Sequence, residues 1–261
     1  MDSVRDFWVR AAVIVSLLIP VYFAAAALGT RFGLFDWTFG FVGLAVLWGT
    51  KVLLGGAAFA FVGLLLAWFV QPRQGVAAAL LALLIPVAGL GYGYYLRTQA
   101  QQNPIHDIST DLVDPPSFSG AVATARSRVT SGNDLDLLNK RLPDGRAYVE
   151  VQREIYPDIV SIPTGLDQAR AFEIADTLAR EQGWWVGTVN QPSGTIEATT
   201  RSLWFGFTDD IAIRVRADGS GARIDMRSTS RVGRSDLGAN AARVRAYMTE
   251  LRRRLEGAEG G

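Results

Sequence analysis

The chain of 261 residues contains no cysteine and a single histidine. Without cysteine it cannot form disulfide bonds, thiolate nucleophiles, zinc ribbons or iron–sulfur clusters. Charge is also scarce in its first part, because residues 1–98 carry six basic and three acidic side chains, whereas residues 99–261 carry 20 and 22. A net charge of +1 provides no overall field to attract nucleic acid. The composition therefore predicts a membrane-embedded half and a soluble half.

Long apolar runs fill the half that is poor in charge. Residues 9–29, 44–70 and 76–97 are each long and apolar enough for a transmembrane helix, which needs about 20 residues. For the first run the alternative is a cleaved signal peptide, because Arg5 lies before it and small residues follow. Two further runs follow, so we predict a transmembrane domain over residues 1–98.

The positive charges do not orient these three spans. Each side has three basic residues, namely Arg5, Arg10 and Arg73 against Arg31, Lys51 and Arg97. No Asp, Glu or His lies inside a predicted span, which leaves a transporter without a candidate proton or ion path. An odd number of spans places the two ends of the chain on opposite sides.

The rest of the chain predicts a linker, a soluble domain and a tail. Residues 99–120 contain several prolines and few large apolar groups, which favours an extended linker. The soluble domain is expected over residues 121–256, followed by a flexible tail over 257–261. Within the domain, Thr164 and Asp167 form a capping-box signal, which starts a predicted helix over about 166–182.

Residues of alternating polarity predict an antiparallel sheet. The four strand segments are residues 184–189, 195–201, 211–216 and 222–230. A hairpin before residues 147–152 adds a possible edge strand, and a second helix is predicted over 236–255. The expected fold class is a three-helix membrane anchor plus an α+β domain, whose helices pack on one face of the sheet and leave a solvated, salt-bridged opposite face. Five aromatic residues are expected in the core: Trp184, Trp185, Trp204, Phe205 and Phe207.

Three stretches of this domain resemble one family. They are Ile-Glu-Ala-Thr at 196–199, Phe-Gly-Phe-Thr-Asp-Asp at 205–210, and the long run from Arg227 to Arg243 that contains Gly-Arg-Ser-Asp-Leu-Gly-Ala-Asn. They are similar to the bacterial and plastid family DUF1499, a domain of unknown function, over about residues 104–255. Many relatives carry a cysteine near the front of the domain, and this chain has Pro104 to Asp111 there instead.

The resemblance bears on location and leaves the activity open. Relatives are often exported or anchored in a membrane, which implies that the domain works outside the cytoplasm. It therefore implies a multi-pass protein of the bacterial inner membrane with a periplasmic soluble domain. The family name implies no reaction.

The candidate ligand site lies where the last strand meets the last helix. A helix N-terminus exposes unpaired N–H groups, and neighbouring guanidinium groups would complete a site for phosphate or carboxylate. The candidate anion-binding residues are Arg227, Arg231, Arg234, Ser235 and Arg243. The alternative is structural: Ser235 or Asp236 caps the helix, and Asn240 bonds a buried backbone group. Leu237 and Asn240 are both expected on the buried face of the helix.

Catalytic and cofactor signals are weak. Ser235 lies between strand and helix, as a nucleophile elbow would, but the flanking glycines are one residue too far apart. His106 lies in the predicted linker, and Asp209-Asp210 is more typical of a hairpin than of a cation site. The sequence predicts no metal, no cofactor and no bound nucleic acid.

The favoured function is a membrane-anchored, non-enzymatic binding or envelope-associated module. Its expected partners are the lipid bilayer and an anionic lipid or an envelope protein. The alternative is an envelope hydrolase that uses Ser235 or a carboxylate pair.

Overall fold

The computed structural model describes residues 2–260, which form two compact units. The first unit comprises the residues up to Thr98 together with the loop Leu203–Gly206. The second comprises Gln99–Ser202 and the residues from Phe207 onward.

Three helices in residues 2–260 are long and apolar enough to span a membrane. They are α1 (Asp2–Arg31), a π-helical segment (Thr38–Trp48) that continues into α2 (Gly49–Phe69), and α3 (Val76–Gln102). The three predicted spans are confirmed as helices. The second begins before residue 44, because the apolar pattern continues back to Thr38 without a proline or a charged residue.

Small residues let these helices approach each other. Ala12, Ala60 and Ala82 form one buried layer, where the Ser16 hydroxyl donates to the Ala82 carbonyl at 2.6 Å. Close approach of backbones through small residues is the usual basis of helix packing in membranes. At one end of the bundle the Arg5 side chain donates to the Pro72 carbonyl, which holds the start of α1 beside the turn between α2 and α3.

The second unit is built on one antiparallel sheet. Its strands are β1 (Asp107–Ser109), β2 (Ile162–Thr164), β3 (Trp185–Asn190), β4 (Thr195–Arg201), β5 (Thr208–Asp218) and β6 (Gly221–Ser230). The order is β1-β6-β5-β4-β3, and β2 also pairs with β6. The helices are α4 (Gly120–Ser127), α5 (Tyr148–Ile155), α6 (Gln168–Glu181) and α7 (Ala239–Glu259). The predicted α+β class with an antiparallel sheet is confirmed.

One face of the sheet makes the core. Side chains alternate along a strand, so the buried Ile211, Ile213 and Val215 of β5 lie on the same face as Ile224 and Met226 of β6. Residues of α6 and α7 pack with them in one apolar cluster: Phe172, Ala175, Leu178, Val244, Tyr247 and Leu251.

The opposite face is more buried than predicted. Asp107, Asp210 and Asp225 have no exposed surface, and Arg227 is buried beside them. Glu197 is covered by Ser119, whose backbone N–H and hydroxyl donate to its carboxylate at 2.5 and 2.7 Å. The expected solvated face is therefore partly covered by the chain that runs before α4.

That covering chain corrects the predicted linker over 99–120. The segment contains the end of α3 and strand β1, and its residues Ile105, His106, Asp107 and Ile108 are all buried. Proline and the shortage of large side chains indicated an extended backbone correctly. This extended segment is nevertheless a strand rather than a linker, because its backbone forms hydrogen bonds with β6 at the edge of the sheet.

Local signals predicted the wrong structure at two further places. Residues 148–152 belong to helix α5, because Tyr148, Val151 and Gln152 are buried at helical spacing. Of the predicted hairpin, only an isolated antiparallel bridge between Arg141 and Ala147 is present in the described residues. Helix α6 is capped by Asp167, which accepts from the Arg170 N–H at 2.8 Å, and Thr164 bonds Glu259 instead.

The aromatic residues expected in the core divide between core and surface. Trp184 packs against Tyr247 with ring centroids 5.4 Å apart. Trp185 and Trp204 are 76% and 59% exposed, so the core prediction is wrong for both. Phe205 and Phe207 are half-buried.

Candidate functional site

The turn between β6 and α7 has an unusual backbone. Gly233, Leu237 and Gly238 have φ of 91°, 58° and 84°, and α7 begins at Ala239 rather than near 236. Left-handed backbone interrupts any helix that the pattern predicts before this point. Leu237 therefore lies outside the helix and is 43% exposed, which corrects its predicted burial.

Asp236 binds the start of α7. Its carboxylate accepts from the Gly238 N–H at 2.8 Å and from the Asn240 N–H at 2.7 Å. These are amides that have no partner within a helix. Burial raises the pKa of Asp236, while these two hydrogen bonds oppose the rise. Asp236 thus binds amides at the start of α7, as the structural alternative predicts, although the residue at the N-cap position is Gly238.

Three of the four candidate arginines are bound by aspartates. Arg227 forms a bidentate ion pair with Asp107: its Nε lies 2.9 Å from Oδ1 and its Nη2 lies 2.8 Å from Oδ2. The Nη2 atom of Arg231 lies 2.7 Å from Asp210, and that of Arg243 lies 2.8 Å from Asp209. Their charges are thus offset inside the domain.

Two of these aspartates each bind a second cation. Lys140 Nζ lies 2.8 Å from Asp107, and Arg126 Nη1 lies 2.6 Å from Asp210. Burial raises the pKa of Asp107, but the hydrogen bond and charge of Arg227, followed by Lys140, outweigh it and leave the pKa well below the usual range. Asp107 is therefore a buried, ionised anchor for two basic side chains.

Sequence reasoning missed Arg126, Lys140 and Asp107 as members of this region. All three lie far from the turn along the chain. Asp107 reaches the region through pairing of β1 with β6, whereas Arg126 lies on α4 and Lys140 lies between α4 and α5. The two isoleucines at 105 and 108 were the only local sign of burial, and they do not alternate with polar residues as a strand pattern would.

Arg234 and Ser235 behave differently from the other candidates. Arg234 is exposed, and among residues 2–260 its side chain makes no hydrogen bond or ion pair. The Ser235 hydroxyl donates to the Asn103 carbonyl at 2.6 Å and accepts from the Leu237 N–H at 3.1 Å. Of the five candidates, Arg234 alone presents an unengaged charged group in the described chain.

Asn240 is fully buried, and both polar atoms of its side chain are hydrogen-bonded. Its Nδ2 donates to the His106 carbonyl at 3.0 Å and to the Ser230 hydroxyl at 2.9 Å, while its Oδ1 accepts from the Ser228 hydroxyl at 2.6 Å. Its burial was predicted correctly. The amide ties α7 to the end of β6 and to the segment before β1.

His106 lies beneath the turn. Its Nδ1 is 3.1 Å from the Tyr148 hydroxyl and 3.3 Å from the Arg234 carbonyl, and its buried Nε2 has no hydrogen-bond partner in residues 2–260. Burial, followed by the charge of Lys140, lowers the pKa of His106 to about 4. The ring is therefore neutral at pH 7 and belongs to the domain interior rather than to a linker.

Comparison with known families adds one decisive observation. A family model described as a protein of unknown function, DUF1499, matches residues 107–251, which is 145 of the 261 residues. The chain belongs to the DUF1499 family. The DUF1499 region contains all five candidate residues, β1 to β6 and most of α7. No curated protein matches the chain.

Proposed function

We propose that this DUF1499 chain is a membrane-anchored, non-enzymatic binding module that recognises an anionic lipid head group. The observation that carries the proposal is the unengaged guanidinium of Arg234 on a domain attached to three apolar helices. Near the bilayer surface, each exposed arginine contributes about 1 kcal/mol of attraction to anionic lipid.

The arrangement around Arg234 supports a small contact surface. Arg227, Arg231 and Arg243 are offset by aspartates of β1 and β5. The turn is also constrained by the Ser235 and Asp236 hydrogen bonds. Because the turn is constrained, its backbone loses little freedom on binding, which favours affinity.

The proposal is tested with the full chain in nanodiscs of phosphatidylglycerol or of phosphatidylcholine. We expect phosphatidylglycerol to stabilise the parent, and Arg234→Glu to lose roughly 2–4 °C of that gain in melting temperature, consistent with about 1 kcal/mol. Arg252→Glu is the matched control, because Arg252 is also exposed and has no side-chain partner within the described part of the chain, but lies on α7 away from the turn. Equal losses in both variants, or no lipid preference in the parent, would reject head-group recognition at this turn.

The hydrolase alternative has no comparable support. The Ser235 hydroxyl donates to a carbonyl oxygen, and Asp209 and Asp210 are bound by arginines.

We also propose that the chain lies in a bacterial inner membrane, with its N-terminus cytoplasmic and residues 98–261 periplasmic. Two observations support this orientation: the odd number of apolar helices and the export of relatives that the resemblance implies. The positive charges are equally divided between the two sides and favour neither orientation. Reporter fusions after residue 74 and after residue 261 test it. We expect cytoplasmic activity at 74 and periplasmic activity at 261, and the reverse pattern would overturn the orientation.

A further inference from the structure

The loop between β4 and β5 is short, closed and apolar. It runs through Ser202-Leu203-Trp204-Phe205-Gly206-Phe207 and contains no charged residue. Two hydrogen bonds close it: the Ser202 N–H donates to the Phe207 carbonyl at 2.8 Å, and the Phe207 N–H donates to the Ser202 hydroxyl at 2.9 Å. The closed base presents Leu203 and Trp204 as a fixed tip.

The tip exposes side chains that usually avoid water. Leu203 is 71% exposed and Trp204 is 59% exposed. An exposed leucine alone is ordinary, but an adjoining leucine and tryptophan at the end of a closed hairpin form an apolar surface that needs a partner.

The loop Leu203–Gly206 belongs to the first unit, with the apolar helices. Within that unit the Phe205 and Phe41 rings lie 5.0 Å apart at an angle of 79°, and Arg31 Nη1 donates to the Leu203 carbonyl at 2.6 Å. Arg31 is the last residue of α1, and Phe41 lies in the first turns of the next helix. The loop is thus placed where two spanning helices end.

Helix ends of this kind lie at the membrane interface. There, tryptophan places its apolar ring among lipid and its N–H near water, and arginine reaches the head groups. Exposed aromatic and apolar residues also follow Arg31 along the chain, including Phe32, Leu34 and Phe39.

We infer that the β4–β5 loop inserts Leu203 and Trp204 into the lipid interface and forms a second membrane attachment of the soluble domain. The occupant of this surface is lipid rather than a second copy of the chain, because the loop lies at the helix ends that face the interface. The attachment is apolar and does not depend on head-group charge, so it stands apart from the role proposed for Arg234.

The absence of native cysteine permits a direct test in the full chain. Trp204→Cys and Leu203→Cys carry a nitroxide spin label, and the protein is reconstituted in phosphatidylcholine liposomes. Trp185→Cys is the matched control, because Trp185 is an exposed tryptophan on β3 in the second unit.

Collision with lipid-soluble oxygen and with a water-soluble nickel complex is measured at each label. We expect an oxygen-to-nickel ratio several-fold higher at 203 and 204 than at 185. A ratio equal to that at 185 would overturn the inference, as would low access to both reagents, which would mean burial in protein. Because phosphatidylcholine has no net charge, failure of head-group recognition would not change this result.

Discussion

His106 is the only histidine in the chain. Its Nε2 is a buried polar atom without a hydrogen-bond partner in the described residues. Burying the neutral ring requires no loss of a proton while the histidine of the unfolded chain is also neutral. Once that histidine is protonated, folding must remove the proton, which costs stability. Because burial and Lys140 lower the pKa of folded His106 to about 4, the unfolded state binds more protons between about pH 6.5 and pH 4. The stability contribution is therefore present above about pH 6.5 and is lost as the pH falls through this window.

We expect the parent chain to lose about 2 kcal/mol more stability than His106→Gln between pH 7 and pH 5. Glutamine keeps a polar side chain but does not titrate. Thermal unfolding of both full chains in detergent, at several pH values, measures the difference. Asp107 and Asp236 titrate in both proteins, so parallel pH profiles would show that His106 is not responsible.

Asn240 is a second residue whose partners are all internal. Truncation in Asn240→Ala leaves the His106 carbonyl and the Ser228 and Ser230 hydroxyls with fewer partners, and we expect a loss of about 1–3 kcal/mol. Leu237→Ala is the control, because that side chain is largely exposed and its loss should change stability by less than about 0.5 kcal/mol. Melting temperatures of the full chains measure both effects. If Asn240→Ala melted like the parent, the amide would have a role other than structure.

At the scale of elements, α2 offers a pair of adjacent glycines in different surroundings. A Cβ on Gly56 would lie 2.7 Å from Ile19 Cδ1 and 3.7 Å from Pro86 Cβ, whereas a Cβ on Gly55 would meet nothing within 4 Å. Gly56 therefore lies where α2 approaches both other helices, and Gly55 faces outward.

We expect Gly56→Leu to destabilise the helix bundle by about 1–3 kcal/mol, since the added side chain must displace Ile19. Gly55→Leu should be tolerated, because leucine favours the helix more than glycine does. Unfolding of the full chain in mixed detergent micelles compares the two. Equal loss in both variants would mean that helix packing through Gly56 is not what the substitution disturbs.

At the scale of the molecule, the second unit has its own apolar core of residues from the sheet, α5, α6 and α7. A domain with such a core is expected to fold without the helices. We predict that a fragment of residues 99–261 unfolds cooperatively, with a stability in the ordinary range of about 5–15 kcal/mol. Near-ultraviolet circular dichroism during urea unfolding measures this.

Asp107→Asn in the same fragment tests how much the buried ion pairs contribute to its stability. Loss of that charge leaves Arg227 and Lys140 in a buried region without their carboxylate, and we expect a cost of about 3–5 kcal/mol. A fragment without a cooperative transition would mean that the domain depends on the rest of the chain for its fold.

Elements whose signals are local could be predicted from the amino-acid sequence. Apolar length predicted three helices that are long enough to span a membrane, and alternation predicted β3 to β6 to within a few residues. The run from Arg227 to Arg243 determined the family. Each of these signals depends only on residues that are neighbours along the chain, so it can be recognised without the tertiary structure.

Tertiary structure decided which charges and surfaces are used. The arginines near α7 looked like one anion site in sequence, but Asp107 binds Arg227 across 120 positions and Asp210 binds Arg126 across 84. Strand pairing between β1 and β6 brings the first pair together, and it also turns an expected linker into part of the sheet. The exposure of Leu237 likewise depends on two left-handed residues before α7. Local patterns predict where a side chain points, whereas its partner depends on contacts between distant segments.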